Sequence, residues 1–364
     1  MPRASRSTVH RHDQTTHLRA WALPQSGFFI DLMKGSAVAQ SVVVMLGGGG
    51  ALGAFSCGVW KALAPLLQAS GATLVGVGGT SIGAINAAVL AKQGGDFAAS
   101  AKALEHLWRQ RLATPSAPFT AWLGQGRDQQ SWNGLLTGLL LGSKNFYKAD
   151  YTHWNPVAGL DRLNRPLMDR SPMWRLLEEE VGALPASAPG DPILGVAAVD
   201  ILSGELRLFD SGRESIGVEH LAASSAIPLF FDPVTIDGRL YWDGDMTRQS
   251  ALPLLLDRLS ATGGLPKEPD DGHETLLITV DHMSEALTRL PSSGLEIAYR
   301  ALDLLLHGKL DAASRAGHRF SRVIDIRRSP LPHDAVSGQF DYSTERVDEL
   351  IAQGAQQALQ AWHG

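Results

Sequence analysis

Gly79-Thr80-Ser81-Ile82-Gly83 is a G-x-S-x-G pentapeptide between the apolar run LVGV at 74–77 and the small-residue stretch at 84–92. A serine at such a strand-to-helix bend holds a strained backbone that pushes its hydroxyl outward, and glycines two residues to either side make room for neighbouring chain. The chemistry this serves is nucleophilic attack on a carbonyl carbon, because the helix N-terminus behind the serine favours the negative charge that develops on oxygen. The five letters alone recur by chance; their strand and helix context makes Ser81 the candidate nucleophile.

An oxyanion needs donors, and four glycines at 47–50 end the β-branched run SVVVML at 41–46 and open a helix over 51–68. Bare N–H groups at such a helix start stabilise negative charge, so Gly48, Gly49 and Gly50, with the N–H of Ile82, form the candidate oxyanion cradle. The same loop satisfies G-x-G-x-x-G through Gly48, Gly50 and Gly53. A dinucleotide site also requires an acidic residue ~20 positions on for the ribose. The first acid after Gly47 is Asp96, so that reading lacks its sugar partner. A plain tight turn with close helix–strand packing is the other reading of these glycines.

A serine hydroxyl also needs a base. A Ser-Asp-His order would draw on His220, His273, His282, His307, His318, His333 or His363, each of which reads as a surface histidine. Asp243 is the stronger candidate: it ends the apolar strand at 240–243 and is followed by Gly244, where a parallel sheet keeps its working groups. The alternative for Asp243 is an Asx turn or cap, a role Asp245 could also fill.

These groups need a sheet to hold them. Two strand–helix units in succession over 41–92 predict parallel strands with helices on their faces. Further strands are predicted at 193–200, 205–209 and 276–280, a hairpin turning at Asp237-Gly238, and a helix over 343–362 with Val347, Leu350, Ile351, Ala355 and Leu359 on one stripe. Residues 1–38 read as a poorly ordered leader without the continuous apolar core of a signal peptide. Residues 39–260 read as the catalytic core, 108–175 as a cap-like insertion within it, and 261–364 as a C-terminal extension packed on the core. The insertion is net basic and holds five of the nine tryptophans, Trp108, Trp122, Trp132, Trp154 and Trp174. That make-up suits peripheral membrane contact as well as packing of the cap onto the core. The apolar helical stripe at 295–306 reads as core.

Composition sets the outer bounds. Thirty-two Lys and Arg against 37 Asp and Glu give a net charge of -5, the wrong sign for a nucleic-acid-binding surface. The single cysteine, Cys57, makes neither an internal disulfide nor a cysteine zinc cage, which fits a reducing cytoplasm and argues for no structural metal. No stretch of 18 apolar residues predicts a transmembrane segment.

GGGGALGAF at 47–55, GTSIG at 79–83 and WDGD at 242–245, with HLAASSAIPLFFDPVTIDGRLYWDG at 220–244 leading to the last, together resemble the patatin-like phospholipase family over about residues 41–260. The resemblance implies a three-layer α/β/α fold with a mainly parallel central sheet. It further implies a Ser-Asp dyad without histidine, in which Ser81 attacks the ester carbonyl and Asp243 accepts and returns the proton. The activity implied is acyl hydrolysis of phospholipids or related lipid esters through an acyl-enzyme, with no metal and no cofactor. Gly79 and Gly83 would support the elbow. An acyltransferase using the same acyl-enzyme, or a catalytically weak lipid-binding protein, are the alternatives. Two departures motivate the latter: Leu52 stands where many members carry Arg or Lys, and Asp245 replaces the second glycine of Asp-Gly-Gly.

Overall fold

The computed structural model describes residues 39–120, 126–151, 166–265, 273–283, 286–306, 310, 317–334 and 338–364. The expected leader, Trp122, Trp154 and His307 lie outside the described residues. Along the chain run β1 (Ala39–Leu46), α1 (Ala54–Ala69), β2 (Thr73–Thr80), α2 (Ile82–Ala91), α3 (Phe97–His106), α4 (Arg127–Leu140), β3 (Lys148–Ala149), β4 (Met168–Asp169) and α5 (Ser171–Glu180). Then come β5 (Ile193–Asp200), β6 (Leu206–Asp210), α6 (Val218–Ser224), β7 (Val234–Ile236), β8 (Arg239–Asp243), α7 (Ala251–Ala261), β9 (His273–Asp281), α8 (Gly294–Leu306), β10 (Arg322–Arg327) and α9 (Thr344–His363).

The sheet has the order β10-β9-β1-β2-β5-β8-β7, with β6 also on β5. Strands β10, β9, β1, β2 and β5 are parallel, and β6, β8 and β7 join antiparallel. Alternate residues of one strand feed opposite layers. Val42, Val44 and Leu46 of β1 join α1, α2 and α9 in the larger core, whereas Val43 and Met45 meet Leu252, Leu255, Leu256 and Leu259 of α7 on the other face. The fold is therefore a three-layer α/β/α sandwich around a mostly parallel sheet.

Register sets where the chemistry gathers. Leu46 lies opposite both Gly79 and Val280, so three loops leave the carboxyl end of the sheet side by side. On the far side Thr80 pairs with Ala197 and Asp243 with Ala198, which puts Asp243 two strands, ~10 Å of backbone, from the elbow.

The helix expected over 51–68 opens with a 3-10 turn, Gly50–Gly53, before α1. Residues 50–69 are long and apolar enough to cross a membrane, which corrects the expectation that no segment is, but 72% of the qualifying window is buried. The reason is α9: a Cβ on Gly58 would meet Ile351 O at 2.0 Å and one on Gly354 would meet Phe55 O at 2.1 Å, so the two helix backbones touch. Trp108 is likewise core, fully buried with its Nε1 donating to Asn86 Oδ1 at 3.0 Å, and Trp132 and Trp174 pack against the same core. The stripe on α8 is only partly core, because Ile297 and Leu304 stand 59% and 58% exposed.

Candidate active site

Ser81 sits between β2 and α2 at φ 53°, ψ -130°, a conformation that L side chains avoid and that persists only when its surroundings enforce it. The enforcement is local packing. A Cβ on Gly79 would lie 2.4 Å from the Gly83 carbonyl carbon, and one on Gly83 would lie 2.3 Å from Leu46 O and 2.4 Å from Gly47 O, so any side chain there would push the bend off β1. From below, the Ser81 N–H donates to Ser224 O and Ser224 Oγ, both at 3.0 Å, and Ser224 Oγ donates in turn to Ala197 O at 2.6 Å.

The glycine loop lies directly over the elbow. A Cβ on Gly48 would fall 3.0 Å from Ser81 Cβ and 1.7 Å from Asp245 Oδ2. Gly47 N–H donates to Val280 O (2.9 Å), Ala51 N–H to Gln339 O (2.8 Å) and Leu52 N–H to Gly49 O (3.1 Å), which leaves Gly48, Gly49 and Gly50 as the loop's candidate donors. Ile82 is the first residue of α2, where a backbone N–H has no intrahelical partner.

The two carboxylates of WDGD have different surroundings. Asp243, 1% exposed, is anchored by its N–H to Ala226 O at 3.0 Å, two residues from the Ser224 that holds Ser81. Its Oδ1 accepts the Asp245 N–H at 2.9 Å. The expected Asx-type cap is thus present on Asp243 itself. Asp245, 8% exposed, accepts the Thr80 hydroxyl at 2.7 Å and lines a small cavity behind Gly48 with Thr80, Gln249, Asp281 and Met283.

The cleft at Ser81 is lined by Gly50, Ile82, Ser225 and Ile227, with aromatic walls of Phe146, Tyr147, Phe231, Phe340 and Tyr342. It holds about 20 Å³, close to one water molecule. Two groups that sequence reasoning missed stand around this region. Arg170 is buried, donating to Ala222 O and Asp232 O at 2.8 Å each; burial lowers its pKa to about 10 against the opposing pull of the nearby Asp243 carboxylate. Gln339, from the C-terminal part of the chain, closes the cleft over Gly50.

The histidines correct a second expectation. His220, His282, His318 and His333 are buried, not on the surface. Each ring has a polar partner in the fold: His220 Nδ1 accepts the Gly217 N–H at 3.0 Å and its ring meets Phe209, His318 Nε2 faces Asp257 at 3.1 Å, and His333 Nε2 faces Glu349 at 2.9 Å. His282 bonds Ser56 Oγ and the Gly48 carbonyl. Cys57 is a buried thiol pushed up to about 12 by desolvation, inert as a nucleophile. Among the described residues no group of three or more His, Cys, Asp or Glu could hold a metal ion.

Fold and elbow define a class, an α/β/α protein with a serine on a strained strand–helix bend under a glycine loop. Sequence comparison narrows it: the sequence model of the patatin-like phospholipase family matches residues 44–254, more than half of the chain, and the chain belongs to that family. No curated protein matches it significantly. Among solved structures it is similar to VipD from Legionella pneumophila (14% identity, TM-score 0.36, 90% of this chain and 67% of that one). It is also similar to the ExoU–SpcU complex of Pseudomonas aeruginosa (15%, 0.30, 89% and 52%) and to human GIVD cytosolic phospholipase A2 (13%, 0.37, 90% and 59%). The chain thus spans about half to two thirds of the length of these structures.

Proposed function

We propose that the chain hydrolyses carboxylic ester bonds of lipids through an acyl-enzyme on Ser81, with Asp243 as the base. The observation that carries this reading is the strained Ser81, held at the start of α2 beside a glycine loop whose Gly48, Gly49 and Gly50 are candidate donors. Membership of the patatin-like phospholipase family supports a lipid ester as the substrate class.

In this reading Ser81 Oγ attacks the ester carbonyl carbon while its proton passes to Asp243. The carbonyl oxygen becomes an oxyanion held by the N–H groups of Gly48, Gly49, Gly50 and Ile82. As the tetrahedral intermediate collapses, the C–O bond to the alcohol breaks and Asp243 returns the proton to the leaving oxygen. Water then attacks the acyl-serine with Asp243 again as base, releasing the carboxylic acid and restoring the hydroxyl. The aromatic walls suit an acyl chain, but a cleft of about 20 Å³ admits one only after those walls part.

The test is covalent labelling with a fluorophosphonate probe, alongside hydrolysis of para-nitrophenyl esters and phospholipid vesicles. Wild type should be labelled and Ser81→Ala should not; an unlabelled wild type would refute the reading. Asp243→Asn should lose about 100-fold or more in turnover, the usual scale for proton transfer. Full turnover in Asp243→Asn with loss in Asp245→Asn would move the base to Asp245.

A further inference from the structure

The carbonyl oxygen of Gly48 faces His282 Nδ1 at 3.0 Å, and the other ring nitrogen, Nε2, is bonded to Ser56 Oγ. Both side chains are buried, and His282 and Ser56 lie 234 and 8 residues along the chain from the glycine they serve. A carbonyl only accepts, so Nδ1 carries the hydrogen and donates it; in the neutral ring Nε2 then has a lone pair, which accepts the Ser56 hydroxyl hydrogen. Desolvation lowers the ring's pKa to about 4, which keeps it neutral near neutral pH.

The peptide joining Gly48 to Gly49 is trans and planar, so its C=O and N–H point in opposite directions. Whatever fixes the oxygen also aims the N–H. The glycines cannot do this themselves: with φ 138° at Gly49 and 56° at Gly50, no side chain resists a flip of the peptide. A flipped peptide would present the carbonyl oxygen, in place of a donor, to the developing negative charge.

We infer that His282 is a positioning residue for ester hydrolysis: by holding the Gly48 carbonyl away from Ser81 it keeps the Gly49 N–H directed at the forming oxyanion, with Ser56 holding the ring by its other nitrogen. The inference rests on the proposed nucleophile and oxyanion loop. The brace is itself anchored. The His282 carbonyl accepts from Arg328 Nε at 2.8 Å, Arg328 also donates to Asp334 at 2.8 Å, and Asp334 accepts from Arg346 of α9 at 2.5 Å. All four residues lie beyond the family segment at 44–254, so the C-terminal part of the chain steers the loop of the core.

The experiment compares wild type, His282→Leu, His282→Asn and Ser56→Ala on a soluble short-chain para-nitrophenyl ester, with kcat and KM measured separately and fluorophosphonate labelling rates in parallel. Asparagine places an amide N–H near the position of Nδ1 and can still donate to Gly48 O; leucine cannot. His282→Leu should lower kcat about 100-fold, the scale of one lost oxyanion donor, with KM within about 3-fold. His282→Asn should recover to within about 10-fold of wild type, and Ser56→Ala should lose about 10-fold, on the same scale. The inference is overturned if His282→Leu keeps kcat within about 3-fold, if leucine and asparagine lose equally, or if the loss falls on KM, thresholds set against that same scale. Should His282→Leu fail to fold, Ser56→Ala decides by the same measurement, and an unchanged kcat overturns the brace. A labelled wild type with an equally reactive His282→Leu defeats the brace alone; an unlabelled wild type defeats the nucleophile assignment and the brace with it.

Discussion

The elbow with its glycine loop, residues 46–83, and the polar network over 281–346 lie against each other yet are held by opposite means. In the first stretch Lys61 is the only charged residue, and geometry comes from backbone bonds and from the space glycines leave. The second is built of buried charges: Arg328, Asp334 and Arg346 exchange hydrogen bonds with almost no exposure, and Glu349 joins Arg346 at 2.8 Å. The glycines around Ser81 tolerate no added atom and the buried network no missing charge, so activity and stability should part between them.

Replacing the proposed nucleophile tests this most severely. Ser81→Ala should cut turnover by about 10,000-fold or more while the melting temperature moves by under about 2 °C, measured by ester hydrolysis and calorimetry. A large drop in melting temperature would show the elbow to be a stability element and break the contrast. Next, Arg346→Met leaves Asp334 with one cation fewer in a buried site and should cost about 3–5 kcal/mol in urea unfolding; a cost below about 1 kcal/mol would show the network to be dispensable.

A pH experiment sharpens the boundary between the two regions. His282 has a pKa of about 4 in the folded protein against ~6.5 unfolded, so the unfolded chain takes up the proton first as pH falls. Its contribution is complete above pH ~6.5 and lost progressively towards pH 4, amounting to about 3 kcal/mol. Denaturation from pH 7 to pH 4 should therefore show wild type losing that much more than His282→Asn; parallel curves would mean that the ring is not held neutral. The smallest effect is expected at Asp245. Its carboxylate takes the Thr80 hydroxyl and lines the cavity behind Gly48, not the Ser81 cleft, so Asp245→Asn should keep turnover within about 10-fold. A greater loss would place this carboxylate in the chemistry.

Much of the frame was legible because its signals are short-range. The SVVVML strand, the LVGV strand, the turn at Asp237-Gly238 and the helical stripe of Val347, Leu350 and Ile351 each declare themselves within a few residues. Trp108 left two readings open because a tryptophan beside arginines suits an interface as well as a core, and only Asn86 in space decides between them. The histidines misled because polar neighbours in sequence suggested solvent, whereas the fold buries four of the rings, and His282, His318 and His333 find partners 16 to 234 residues away.

Sequence alone is enough for the first two strand–helix units, the serine at its bend and the glycines around it, because backbone conformation there depends on residues within a turn of the chain. Tertiary structure alone decided which side of Gly48 faces His282, which carboxylate lies behind the loop and how the C-terminal helix buries α1. Those outcomes depend on pairs separated by up to about 300 residues, whose meeting is fixed by sheet register and packing rather than by any local pattern.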